Sequence, residues 1–121
     1  AAEDILLFQS QALKAGHEVV RYEYFDQETL CSTILCDFTE KILRVKNHTD
    51  QILKTAFGRQ EGPTWDDFIE FLEERCVPKS RENINILLKE MGLTEYDPIQ
   101  IVEKTQGRMA EDAQWLKITR L

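Results

Sequence analysis

The chain has 121 residues, of which 42% are hydrophobic and 31% are charged, and its formal net charge is −7. This length predicts a single domain, and the composition is typical of a globular soluble protein. The negative charge argues against direct binding to nucleic acid or to an anionic membrane surface, because both attract basic side chains. No apolar run approaches the roughly 20 residues that a membrane-spanning helix needs, so we expect no contact with a membrane.

The N-terminal part of the chain carries mainly strand patterns. Residues 3–16 suit either a helix or a buried strand, because a short apolar run does not separate the two; we predict a strand at 4–8, followed by a loose or helical turn. Alternating β-branched and aromatic residues predict three more strands, at 17–25, 29–38 and 41–46. These runs indicate an antiparallel meander with one face covered by helices.

Two of the predicted strands carry clear faces. In the first, Val20, Tyr22 and Tyr24 alternate with polar residues and are expected to face the core. In the second, Leu30 and Ile34 are expected to share a face, together with Cys36 and Phe38, because their positions differ by even numbers.

Two helices are predicted between residues 47 and 78. The first is short, covers residues 52–57 and ends at Gly58. The second has Thr64 as its N-cap, with Asp67 three residues on, and Pro78 ends it.

Two more helices follow. One is predicted to start at Ser80 and to end at Gly92, and its buried face would be formed by Ile84, Leu87, Leu88 and Met91. The other has Asp97 as its N-cap, Pro98 at its first position and Gly107 at its end.

The sequence therefore predicts an α+β fold, with a small antiparallel sheet of three to four strands packed against about four helices. One domain spans residues 1–121, with mainly strands in 1–46, mainly helices in 47–112 and a closing strand in 113–121. The C-terminal half is expected to be mainly helical.

No catalytic constellation stands out in the sequence. Cys31 and Cys36 would face opposite sides of a strand, so with Cys76 they are expected to be free core thiols, which fits a cytoplasmic location. His17 and His48 stand alone with no nucleophile beside either. We predict a protein that is not an enzyme and that has no catalytic residue, no metal and no cofactor.

Two charged stretches are candidates for binding a partner or an anion, although each could also be a solvated surface. The helix after Thr64 carries an acidic side, formed by Asp66, Asp67, Glu70, Glu73 and Glu74. The turn Arg75–Arg81 places cations and a hydroxyl at a predicted helix N-terminus, where an anion could bind. The candidate residues for binding a partner or an anion are Glu70, Glu73, Glu74, Arg75, Lys79, Ser80, Arg81, Arg108 and Trp115.

The second half of the chain resembles small bacterial proteins, and N-terminal segments, that accompany HipA-like kinases in mobile elements. The residues that carry this resemblance are Arg75, Pro78, Ser80, Arg81, Leu88 and Gly92, then Gly107, Met109, Asp112, Trp115 and Ile118. The closing run GRMAEDAQWLKI departs from the pattern of that family. The resemblance implies a non-enzymatic companion in a toxin, defence or anti-defence module.

The leading hypothesis is a small intracellular module that binds another protein, for example a basic or a nucleic-acid-binding one, with no direct contact to nucleic acid. One alternative is an acidic inhibitor of the phage anti-defence type, which would occupy a nucleic-acid-binding groove. Another is an anion- or nucleotide-binding protein that uses the turn Arg75–Arg81.

Overall fold

The computed structural model describes residues 2–58, 60 and 62–121, with side chains from Ile5 onwards. Its elements in chain order are α1 (Ala2–Lys14), β1 (Val19–Asp26), β2 (Thr29–Asp37), β3 (Ile42–Asn47), a 3₁₀ helix (Ile52–Lys54), α2 (Trp65–Glu74), α3 (Ile84–Glu90), α4 (Pro98–Thr105) and β4 (Gln114–Arg120). The predicted α+β class is confirmed. Within the described residues, no helix is long and apolar enough to cross a membrane.

The four strands form one antiparallel sheet in the order β3-β2-β1-β4. The closing strand predicted near the C-terminus is confirmed: β4 returns to the sheet and pairs with β1. Tyr22 and Tyr24 point to the face that α2 covers, where their rings meet Phe68 and Phe71 edge-on at 5.2 and 5.1 Å. We call this the helical face of the sheet and the opposite one the outer face.

The predicted strand at residues 4–8 is wrong, because this segment belongs to α1. Ile5 and Ala12 lie seven residues apart, which places them on one side of a helix, and both are buried, while Leu6 is 63% exposed. Gly16 follows the helix with a φ of +77°, a conformation that suits glycine. The helix contacts β1, β2 and β3. Its burial against the sheet therefore explains why this segment forms a helix and not the strand that its apolar run also fits.

The predicted face of Leu30 is wrong, because β2 contains a β-bulge. Tyr24 pairs with Ser32 while Phe25 pairs with Leu30, so Cys31 is an extra residue in β2. Leu30 consequently shares the outer face with Phe25 and not the helical face with Ile34, since one inserted residue inverts the alternation.

Three helix predictions have different outcomes. The capping box of Thr64 and Asp67 and the cap of Asp97 before Pro98 are both confirmed. The short helix at residues 52–57 is wrong, because only the 3₁₀ turn forms there. The second half holds three short helices that alternate with turns, so its predicted mainly helical character is not clearly established.

The predicted start of α3 at Ser80 is also wrong. The amide of Arg81 donates to the carbonyl oxygen of Pro78 in a turn, and the helix begins only at Ile84. Its N-cap, Asn83, has a φ of +63° and makes no capping hydrogen bond through its side chain. Of the predicted apolar stripe only Leu88 is buried, while Leu87 lies half-exposed.

Candidate functional site

A groove of about 420 Å³ lies between α3, α4 and the segment 107–111, which leads towards β4. Its lining is mostly apolar and is formed by Arg75, Val77, Pro78, Arg81, Leu87, Glu90, Met91, Ile101, Thr105, Arg108, Met109, Ala110 and Glu111. The volume falls in the range of about 300–1,000 Å³ that ligand pockets occupy.

The first wall of the groove is α3 with the turn before it. Leu88 is buried in the core, which leaves its neighbour Leu87 facing the groove. The hydroxyl of Tyr96 donates to the carbonyl oxygen of Val77 at 2.7 Å and so fixes the chain that enters this wall. Leu87 and Met91 are both partly exposed, and both line the groove.

The second wall is held by Arg75, which is only 6% exposed. Its Nη1 and Nη2 donate to the two carboxylate oxygens of Asp112 at 2.8 and 2.9 Å. Its Nε donates to the carbonyl oxygen of Gly107 and its Nη2 to that of Gln114, both at 2.9 Å. Bidentate pairs of this kind are strong and directional, so one side chain fixes both ends of the segment that forms this wall.

The charge pairing also changes the acidity of Asp112. The hydrogen bond from Arg75 holds the pKa of this carboxyl below its usual range, and the amide of Gln114 adds a further donor. Arg75 is therefore a positioning residue, and four of its five N–H donors are engaged. The prediction that it binds an external anion or partner does not fit this geometry.

Arg108 is placed differently from Arg75, although both line the groove. Its guanidinium lies 4.7 Å above the centre of the Trp115 ring, and Trp115 stacks on Phe25 at 4.7 Å with 13° between the ring planes. The indole N–H donates to the carbonyl oxygen of Gln27 at 2.7 Å. This stack gives the exposed Arg108 a fixed position at the border between the groove and the outer face.

The other predicted site residues do not gather in one place. Glu70, Glu73 and Glu74 are exposed on α2 and do not line the groove. Lys79 and Ser80 are exposed in a turn, and the predicted anion site fails because no helix begins there. Of Lys79, Ser80 and Arg81, the groove lining includes Arg81.

Sequence reasoning missed several residues of the groove, above all Met109, Glu90 and Glu111. It also missed Asp112 as the partner of Arg75, 37 residues away. Met91 and Met109 could have been a signal, because methionine adapts to irregular binding surfaces.

A separate polar cluster lies beside α1. Asp37 is 2% exposed and accepts from the amides of Thr39 and Glu40, both at 3.0 Å, while a ring nitrogen of His17 lies 2.7 Å from its other oxygen. Burial alone would raise the pKa of Asp37, but these hydrogen bonds lower it on balance. The cluster stabilises the turn after β2.

The three cysteines are free and buried, as predicted. Burial raises the pKa of the Cys76 thiol to about 12, which makes it a weak nucleophile. In the part of the chain that the structure describes, no group of three or more histidine, cysteine or carboxylate side chains is placed to hold a metal ion.

Comparisons with protein-family models, with curated proteins and with solved structures find no match to this chain. The resemblance of the second half to the companions of HipA-like kinases stays a prediction. Among the residues that carry it, Arg75 donates hydrogen bonds to Gly107 and to Asp112.

Proposed function

We propose that this protein is a binding module whose groove takes an amphipathic helix of a partner protein. The observation that supports this is the apolar groove between two walls of different origin, one helical and one a segment tied down by Arg75. The groove is partly open to solvent, whereas a small ligand is usually enclosed over most of its surface. An open apolar groove suits the apolar stripe of a helix.

The charges at the groove fit a helix that carries both signs beside its apolar stripe. Arg81 and Glu90 belong to the wall of α3, and Arg108 and Glu111 belong to the opposite wall. Within the described residues, no salt bridge joins any of these four side chains to an opposite charge. Such rim charges select the orientation and the register of a partner more than they add affinity.

Binding, without catalysis, is the activity that the lining supports best. The titratable side chains in the groove are arginines, which do not release protons at physiological pH, and two exposed glutamates. We include in the proposal a cytoplasmic location and the setting that the family resemblance implies, a toxin or defence module carried by a mobile element.

Selection from a displayed library of random peptides, long enough to form several helical turns, tests the groove. We expect the enriched peptides to carry apolar residues at helical spacing and to bind Leu87→Glu and Met109→Glu about tenfold or more weakly than the wild type. Ile86→Glu is the matched control, because Ile86 is 58% exposed on the same helix and does not line the groove. Equal binding to Leu87→Glu and Ile86→Glu, with both proteins folded, would refute the groove as the site.

The exposed acidic side of α2 supports a second candidate function, docking to a basic protein. Asp66, Glu70, Glu73 and Glu74 form no salt bridge with any basic side chain that the structure describes. Glu70→Lys combined with Glu73→Lys should leave the fold intact and should slow association with such a partner, most strongly at low salt. An unchanged association rate would mean that this side of α2 is only solvated.

A further inference from the structure

The outer face of the sheet divides into a covered and an open part. At one end, α1 contacts β1, β2 and β3, and Val19 and Leu35 are buried there. At the other end, the outward side chains are half-buried or exposed, and Lys117 of β4 is one of them.

The open part is basic in a protein of net charge −7. The strand registers place Lys46, Thr33, Glu23 and Lys117 in one row across β3, β2, β1 and β4. The carboxylate of Glu23 lies 3.6 Å from Nε of Arg21, so the charges of these two side chains offset each other. Lys46 and Lys117 form no salt bridge with any described carboxylate.

Arg108 extends this basic area at the β4 edge. Trp115 lies next to Lys117 on the same face of β4, two residues along, and Arg108 stacks on its ring. We call Lys46, Lys117 and Arg108 the outer basic patch. Neighbouring strands are about 4.8 Å apart, so the two lysines at the ends of the row are separated by about 14 Å.

The aromatic residues beside the patch decide between two kinds of anionic partner. Single-stranded nucleic acid binds flat surfaces by stacking its bases on free aromatic rings. Here one side of the Trp115 ring is occupied by Phe25 and the other by Arg108. The net negative charge of the chain would in addition repel a polyanion that extends beyond the patch. A short run of carboxylates needs no free ring and, where it ends within the patch, meets less of this repulsion.

We propose that the outer basic patch binds an acidic segment of a protein partner, whose carboxylates reach Lys46, Lys117 and Arg108 across about 14 Å of the open sheet. This surface is distinct from the groove and shares only Arg108 with it. The interaction is dominated by exposed charges, so it weakens as the salt concentration rises.

Binding of a labelled peptide of alternating aspartate and glutamate, followed by fluorescence anisotropy at low salt, tests the proposal. Lys46→Glu combined with Lys117→Glu should lower the affinity about tenfold or more. The matched control is Lys89→Glu combined with Lys104→Glu, which changes the net charge equally on exposed lysines of α3 and α4 and should retain clearly more affinity. Circular dichroism shows that both variants are folded.

Three results would overturn the proposal. An equal loss in both variants would mean that the peptide senses only the net charge. Tighter binding of oligothymidylate than of the acidic peptide, lost in the Lys46/Lys117 variant, would assign the patch to nucleic acid. Self-association of the wild type that the Lys46/Lys117 variant abolishes, measured by sedimentation, would assign the patch to a second copy of the chain. The groove variant Leu87→Glu should bind the acidic peptide as the wild type does, so failure here leaves the proposed groove untouched.

Discussion

The two faces of the sheet differ in what covers them. The helical face is sealed by α2 and α4, whose Leu72, Ile101 and Val102 are fully buried, and Arg75 ties down the segment that leads into β4. The outer face is covered by α1 at one end and open at the other. The helical side holds most of the buried core, so we expect it to contribute most of the stability, whereas the groove at its border and the open part of the outer face stay exposed.

Arg75→Met should produce the largest loss of stability, because it leaves Asp112 and two carbonyl oxygens without their buried donor. We expect the free energy of unfolding to fall by about 3–4 kcal/mol, in the lower part of the range for a broken buried ion pair, because the Asp112 side chain is 36% exposed and water can reach it. Urea denaturation measures the change. Arg81→Met, in an exposed turn nearby, should stay within about 0.5 kcal/mol. Similar values for the two variants would mean that the contacts of Arg75 do not stabilise the fold.

Replacing one buried aliphatic side chain by alanine on each face compares how much the two faces stabilise the fold. Leu72→Ala on the helical face should cost about 3 kcal/mol, because the residue is fully buried and the cavity has little room to collapse. Ile5→Ala in α1 should cost about 1–2 kcal/mol, since Ile5 is 8% exposed on a helix at the margin of the fold. A larger loss for Ile5→Ala would show that α1, and not the helical face, dominates the stability.

Glycine substitutions test how tightly the second wall of the groove is packed. Gly107 has a φ of +65°, and an added Cβ would lie 3.1 Å from a methyl carbon of Leu116 and 3.4 Å from Cβ of Arg75. Gly107→Ala should therefore cost more than the about 1–2 kcal/mol of backbone strain alone. Gly92→Ala isolates that strain, because its φ of +79° is similar and no atom lies within 4 Å of the added Cβ. Equal thermal shifts for the two variants would contradict the tight contact.

Acid should weaken the fold through Asp112. Its pKa is lowered in the folded state, so its contribution is fully present above the unfolded value of about 3.9 and is lost as the pH falls through the folded value. Thermal unfolding between neutral pH and strong acid should show a shallower loss for Asp112→Asn than for the wild type. Glu111→Gln is the control, and it should follow the wild type. An unchanged slope in Asp112→Asn would show that this carboxylate is not linked to folding.

The parts of the fold that local chemistry decides could be predicted from the sequence. The capping box of Thr64 and Asp67 and the Asp97-Pro98 start need only neighbouring residues, and both form as predicted. The alternation of Tyr22 and Tyr24 likewise identifies the buried face of β1. Long-range packing decided the rest, as in α1, where burial against the sheet overrode a pattern that a strand fits equally well.

The candidate site could be predicted only in fragments. Arg81 and Arg108 belonged to the predicted set, but the groove that joins them depends on how three separate segments pack. The sequence places Arg75 at a helix end as a candidate for binding an anion or a partner, and only the return of residues 107–114 supplies its partners. The predicted anion site depended on a helix start at Ser80 that does not form.

One measurement tests the central claim most directly: chemical-shift mapping of the ¹⁵N-labelled protein with a helical peptide selected on it. The account predicts that the largest shifts fall on the groove, at the amides of Val77, Leu87 and Met109, while Lys46 and Lys117 on the outer face stay unchanged. Shifts confined to the outer face or to the acidic side of α2, with Leu87 and Met109 unmoved, would contradict it.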